Sequence, residues 1–228
     1  MNWKSCTSVA FCIFTLLSAG CGNKSNDSSS SATAASSSTS ADNLEKQKKV
    51  EEEKKAQLEK AKPVIQEWGN NICRLSDDVV EQWNYWWPQS QGFGVSNLKA
   101  VQTLNINIGQ YYNSLVNRSG KIPNDMPEDI EVKMKYVHDE LDKSFSITED
   151  LTAKYAEMIK EGQPLRPGQK KLIKVMQDDM NTHRANAINK LKEIYSDIGV
   201  EMPNISSDGL DASTIESTAD SDRVEIKY

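Results

Sequence analysis

The chain has 228 residues, with 33 acidic and 27 basic side chains, a formal charge of −6 and a mean hydropathy of −0.63. An acidic balance opposes nonspecific contact with nucleic acid or an acidic bilayer, and 26% charged residues describe a solvated body. After Leu17 no stretch approaches the roughly 20 consecutive apolar residues that a membrane-spanning helix needs.

The N-terminus reads differently from the body. Lys4 is followed by the apolar run Val9-Ala10-Phe11-Cys12-Ile13-Phe14-Thr15-Leu16-Leu17, which is too short to span a bilayer and has the form of a signal-peptide core. Small residues then close on a cysteine in Leu17-Ser18-Ala19-Gly20-Cys21. This segment resembles the lipobox of bacterial lipoproteins, with the large apolar residue one place further from the cysteine than in the commonest pattern. The resemblance implies cleavage before Cys21, a diacylglyceryl group on its thiol, and an extracytoplasmic protein held at the cell membrane or at an outer membrane. Gly22, rather than Asp, follows the cysteine, which by the same resemblance implies the outer membrane where a host has two.

Cleavage would remove Lys4 and no acid, taking the charge from −6 to about −7. It would also remove Cys6 and Cys12, and with Cys21 acylated Cys73 is the one thiol left, so stability must come from packing rather than from cross-links. Of residues 21–43, those after Cys21 are Ser, Ala, Thr, Asn and Asp apart from Gly22 and Lys24, with no large apolar side chain before Leu44. Such a segment cannot bury enough surface to offset the entropy of ordering, and it reads as a disordered tether with a reach of ~25 Å. Residues 44–62, LEKQKKVEEEKKAQLEKAK, are strong helix formers with Glu and Lys three or four apart, so they read as a charged, solvated helix, with Pro63 marking a kink or a fresh helix start.

Four segments within residues 63–200 carry apolar side chains every three or four positions. The first runs from Ile65 through Trp68, Ile72, Leu75, Val79, Trp83 and Trp86 to a stop at Pro88. The second is expected to open at Ser96 as N-cap, to carry Leu98, Val101, Leu104, Ile108, Tyr111, Tyr112 and Leu115, and to end at Gly120. The third has Pro127, Glu128 and Asp129 in its first turn and continues through Ile130, Met134, Val137, Leu141, Leu151, Tyr155 and Met158. The fourth follows Pro164 to Gly168 with Ile173, Met176, Met180, His183, Ala187, Leu191, Ile194 and Ile198, and stops at Gly199 and Pro203. Connections of about eight residues favour antiparallel neighbours, so the fold predicted is all-α: an up-and-down bundle of four helices on the tether and the charged helix. The third and fourth helices are expected to project as a hairpin. Residues 201–228 are Ser-rich, acidic and aperiodic, and read as a disordered tail.

Motifs for catalysis are scarce. Neither histidine lies in a Glu-x-x-His or His-Glu-x-x-His arrangement, and no Cys-x-x-Cys, Gly-x-Ser-x-Gly or phosphate-binding glycine loop occurs. No cofactor, metal or catalytic residue is assigned, and the chain is not expected to be an enzyme. Asp77-Asp78 and Asp178-Asp179 lack the alternating ligands of a calcium loop and read as solvated faces. His183, with Asp179 one turn earlier, is the residue around which an alternative reading as an enzyme or transport component would be built.

The most distinctive stretch is Trp83-Asn84-Tyr85-Trp86-Trp87-Pro88, followed by a glycine-bearing loop through Phe93. So many rings on one helix cannot all face inward, and exposed aromatic side chains stack on sugars, dock peptides or enter membrane interfaces. Tyr85, Trp86, Trp87 and Phe93 are therefore the candidate binding residues. The function expected is that of a noncatalytic, lipid-anchored, envelope-associated protein that binds a protein, a peptide or a cell-wall glycan, and not nucleic acid.

Overall fold

The computed structural model describes residues 38–206 and Leu210, with side-chain environments from Leu44 onward. The signal peptide, Cys21, the tether up to residue 37 and the tail from residue 211 lie outside the described residues. The chain divides into two units, Met1–Glu45 and Lys46–Tyr228. Of the first, residues 38–45 are described, and they are helical. The second holds four helices and no strand among the described residues: the greater part of α1 (Ser38–Ser90), then α2 (Val95–Asn117), α3 (Glu128–Ile159) and α4 (Pro167–Asp197). The all-α bundle read from the periodicity is the architecture.

Bonds between helices give the topology. Asn107 Nδ2 donates to Gln82 Oε1 and Trp68 Nε1 to the Gly120 carbonyl, joining α1 to α2 and its C-terminal turn. Asn105 Nδ2 donates to the Glu149 carbonyl and to Thr152 Oγ1, joining α2 to α3. Ser144 Oγ donates to the Met180 carbonyl across α3 and α4, and Arg184 Nε to Ser76 Oγ across α4 and α1. In each successive pair the numbering runs in opposite senses, and α4 closes back on α1, which makes an up-down-up-down ring around one core. The core comprises Ile65, Trp68, Ile72, Trp83 and Trp87 of α1, Val101, Leu104 and Ile108 of α2, Met134, Phe145 and Tyr155 of α3, and Ile173, Leu191 and Ile194 of α4.

Several boundaries differ from the sequence reading. α1 starts at Ser38, ahead of Leu44, and passes through Pro63 and Pro88, so the charged segment and the first bundle helix are one helix. A proline inside a helix costs about 3 kcal/mol, and burial of Ala61, Ile65 and Trp68 on one face carries the helix through Pro63. Lys46 to Lys60 is exposed apart from half-buried Leu58. α2 begins at Val95 with Gly94 at its N-cap, not Ser96. The Gly94 N–H is taken by Asn97 Oδ1, while Asn97 Nδ2 donates to the carbonyls of Gln89 and Gln91, so one side chain ties the α1–α2 loop. Ile130 and Ile159, at the two ends of α3, are both buried, and α3 and α4 do not project as a hairpin.

Two glycines act at helix ends. A Cβ on Gly120 would stand 2.6 Å from the Leu115 backbone, so only glycine fits where the α2 terminus folds under Trp68. Gly199 has φ 61 and releases the chain from α4. Packing does not end there, although the sequence reading closes the domain at residue 200. Ser206 N–H donates to Asp77 Oδ1, and Leu210 is buried with its N–H on Asn181 Oδ1 and its carbonyl accepting from Asn181 Nδ2 and Gln177 Nε2. These residues form a C-terminal strap along α4.

Candidate functional site

The aromatic cluster separates into an inner and an outer set. Trp83 and Trp87, four residues apart, stack inside the bundle with ring centroids 4.3 Å apart, and Tyr155 lies 4.9 Å from Trp87. Trp87 is 1% exposed, which removes it from the candidate binding residues: its position one turn after Trp83 places both rings on the core side of α1. Its Nε1–H is buried without an acceptor, a deficit that stacking on Trp83 and contact with Tyr155 offset. Tyr85 points the other way and is 61% exposed, meeting half-buried Trp86 edge-on at 4.9 Å. Phe93, in the loop, is half-buried against the core. The accessible aromatic residues at this end are therefore Tyr85, Trp86 and, in part, Phe93.

The end of α1 that carries Tyr85 and Trp86 and the loop that carries Phe93 are held in place. Gln89 Nε2 donates to the Tyr85 carbonyl, and Ser90 Oγ and Gln91 Nε2 donate to the Trp87 carbonyl, so side chains satisfy acceptors where α1 ends after Pro88. Tyr155 O–H donates to the Ser90 carbonyl, and the Phe93 carbonyl lies 3.5 Å from where a Cβ of Gly162 would stand. The end of α1, the start of α2, the α3–α4 loop and the start of α4 thus form one end of the bundle.

Charge at this end departs from the acidic whole. No Asp or Glu occurs in residues 82–124 or in residues 162–177. Lys99, Arg166, Lys170, Lys171 and Lys174 have no carboxylate partner among the described residues, and all but half-buried Lys170 are exposed. The acids present are on the last turn of α3 and just beyond it, Glu157 beside Lys160, and Glu161.

The histidines are both engaged. His138 Nε2 lies 3.3 Å from the Leu115 carbonyl, so it bridges α3 to α2. His183 Nδ1 is 2.9 Å from Glu140 Oε2, whereas the expected partner, Asp179, is 3.8 Å from Nε2. Glu140 is buried and also accepts from Lys143 and Asn186. Burial alone would raise its pKa, but these hydrogen bonds outweigh it and hold the carboxyl down at about 2. Nothing in the sequence marks Glu140, which lies in no motif. Among the described residues no group of three or more His, Cys, Asp or Glu is arranged to hold a metal.

A second polar centre is Arg184, buried between α4, α1 and the strap. Its Nε donates to Ser76 Oγ, its Nη2 to the Ser206 carbonyl, and Nη2 lies 3.5 Å from Asp77 Oδ1. Beside it a groove of about 410 Å³ runs between α4 and residues 202–206, with Ile188, Lys192, Met202 and Ile205 in its walls and His183 outside it. Cys73 is buried, and desolvation together with the Asp77 charge pushes its thiol up to about 11.

Compared with known protein families, characterised proteins and solved structures, the chain matches none.

Proposed function

We propose that this chain is a noncatalytic, lipid-anchored lipoprotein of the extracytoplasmic envelope, which presents the aromatic end of its bundle to an envelope component. Anchorage rests on Leu17-Ser18-Ala19-Gly20-Cys21 after a short apolar run, and no described helix is long and apolar enough to cross a membrane. The single observation that carries the binding role is the separation of exposed Tyr85 and half-buried Trp86 from the buried Trp83–Trp87 stack, which leaves rings at the surface of the last turns of α1, next to a loop tied by Asn97. A preorganised surface loses less entropy on binding than a loose one. Replacing Tyr85 and Trp86 by alanine is expected to lower retention of the protein on purified envelope with helicity unchanged. Full retention would remove the assignment.

A second reading, as an enzyme or transport component, is favoured by one observation: Glu140 fixes the His183 ring through Nδ1 and leaves Nε2 on the partly exposed side, the arrangement used to orient a base or a metal ligand. Loss of a biological activity in His183→Ala with normal stability would favour it.

A further inference from the structure

The bundle end that carries Tyr85 and Trp86 also gathers five cations from sequence stretches more than sixty residues apart, Lys99 on one side and Arg166, Lys170, Lys171 and Lys174 on the other. We propose that this end docks on the surface of an anionic phospholipid bilayer. The inference builds on the proposed role of the aromatic end as a contact surface and names its partner.

Three features coincide there. The unpaired cations match lipid phosphates, each basic side chain near an anionic surface adding a short-range attraction. Tyr85 and Trp86 are rings with polar tips, suited to the headgroup layer. Between and beside the cations stand exposed aliphatic side chains: Val95 at the start of α2, 86% exposed, and Leu172 and Val175 on the outer face of α4, interleaved with Lys171 and Lys174. A dissolved polyanion would occupy the lysines and leave these aliphatic groups in water, and an apolar protein surface would leave the cations unpaired. An anionic bilayer accommodates both, taking the ammonium groups at its phosphates and the aliphatic and aromatic groups at the acyl boundary. The net negative charge of the chain does not prevent this, because screening over about 8 Å at physiological salt makes the local charge decisive.

The test uses the chain from Gly22 onward without lipid, which retains the whole core, and asks whether it sediments with vesicles. Vesicles of phosphatidylcholine with about one-third phosphatidylglycerol should bind it at low salt, release it at high salt, and blue-shift its fluorescence, with the shift reduced in Trp86→Phe; pure phosphatidylcholine should bind little. Lys171→Glu with Lys174→Glu should weaken binding roughly tenfold or more, and Leu172→Ser with Val175→Ser should weaken it at unchanged salt dependence, both with native helicity. No binding to the anionic vesicles, binding unaffected by either pair, or binding to soluble dextran sulfate without binding to vesicles would overturn the inference. If envelope retention still depends on Tyr85 and Trp86 in any of those cases, the contact role stands and only the bilayer as its partner falls.

Discussion

His183 Nδ1 donates to Glu140 Oε2 across the α3–α4 interface at 2.9 Å, and Lys143 and Asn186 complete the shell of that carboxylate. Because the folded pKa of Glu140 lies near 2, below its usual 4.5, its contribution is fully present above pH 4.5 and is lost as pH falls toward 2. Urea titrations across that window should show stability falling by on the order of 2 to 3 kcal/mol from this group. In Glu140→Gln that part of the pH dependence should disappear and stability at neutral pH should drop by about 2 kcal/mol. An unchanged acid profile in the variant would contradict the assignment.

Trp87 and Tyr85 are two residues apart and should behave as opposites. Truncating Trp87 to alanine removes a ring from the core and should cost about 3 to 5 kcal/mol. Tyr85→Ala should stay within about 0.5 kcal/mol, since that ring stands mostly in water. Denaturation midpoints at equal slope measure the difference.

Arg184 should govern the strap. In Arg184→Met the bonds to Ser76 Oγ and to the Ser206 carbonyl vanish, and hydrogen exchange at the Ser206 and Leu210 amides should accelerate at least tenfold while the amides of α3 keep their protection. Global stability should fall by about 2 to 4 kcal/mol, because Asp77 loses its nearest cation and Ser76 a buried partner.

Cys73 should be inert. Its pKa near 11 against an ordinary 9 means that the folded state holds the proton longer, so this thiol contributes no pH dependence below 9 and destabilises the fold as pH rises from 9 to 11. With Cys21 replaced in the cleaved form, native protein should alkylate at least a hundredfold more slowly than protein in urea at pH 8. Comparable rates would show that α1 opens locally around Cys73.

Much of the bundle could be read from periodicity: the apolar stripes of all four helices are the faces that pack. The errors cluster where tertiary packing overrides a local signal. Pro63 reads as a kink or a fresh helix start and Pro88 as a stop, yet α1 passes through both because one face is buried before and after Pro63, and Gln89, Ser90 and Gln91 satisfy the Tyr85 and Trp87 carbonyls around Pro88. The fourth stripe was traced through Met176 and His183, while Gln177 and Arg184 occupy fully buried positions on the same helix. Polar residues at core positions need partners, and beside Ser76 of α1 theirs are the carbonyls of Ser206 and Leu210, in an aperiodic segment that carries no helical or strand signal. The cationic end was hidden for a different reason. Two acid-free stretches are visible in the sequence, but only the contact between the Phe93 and Gly162 loops brings them together, and the net charge of −6 conceals them.

Cys21 is the residue on which the proposed anchorage depends. Labelled palmitate supplied to bacteria expressing the full-length chain should appear in the protein, and the protein should fractionate with membranes; Cys21→Ser should lose the label and leave the membrane fraction for the soluble one. Label retained in Cys21→Ser, or none in the native chain, would contradict a lipoprotein anchored at this residue.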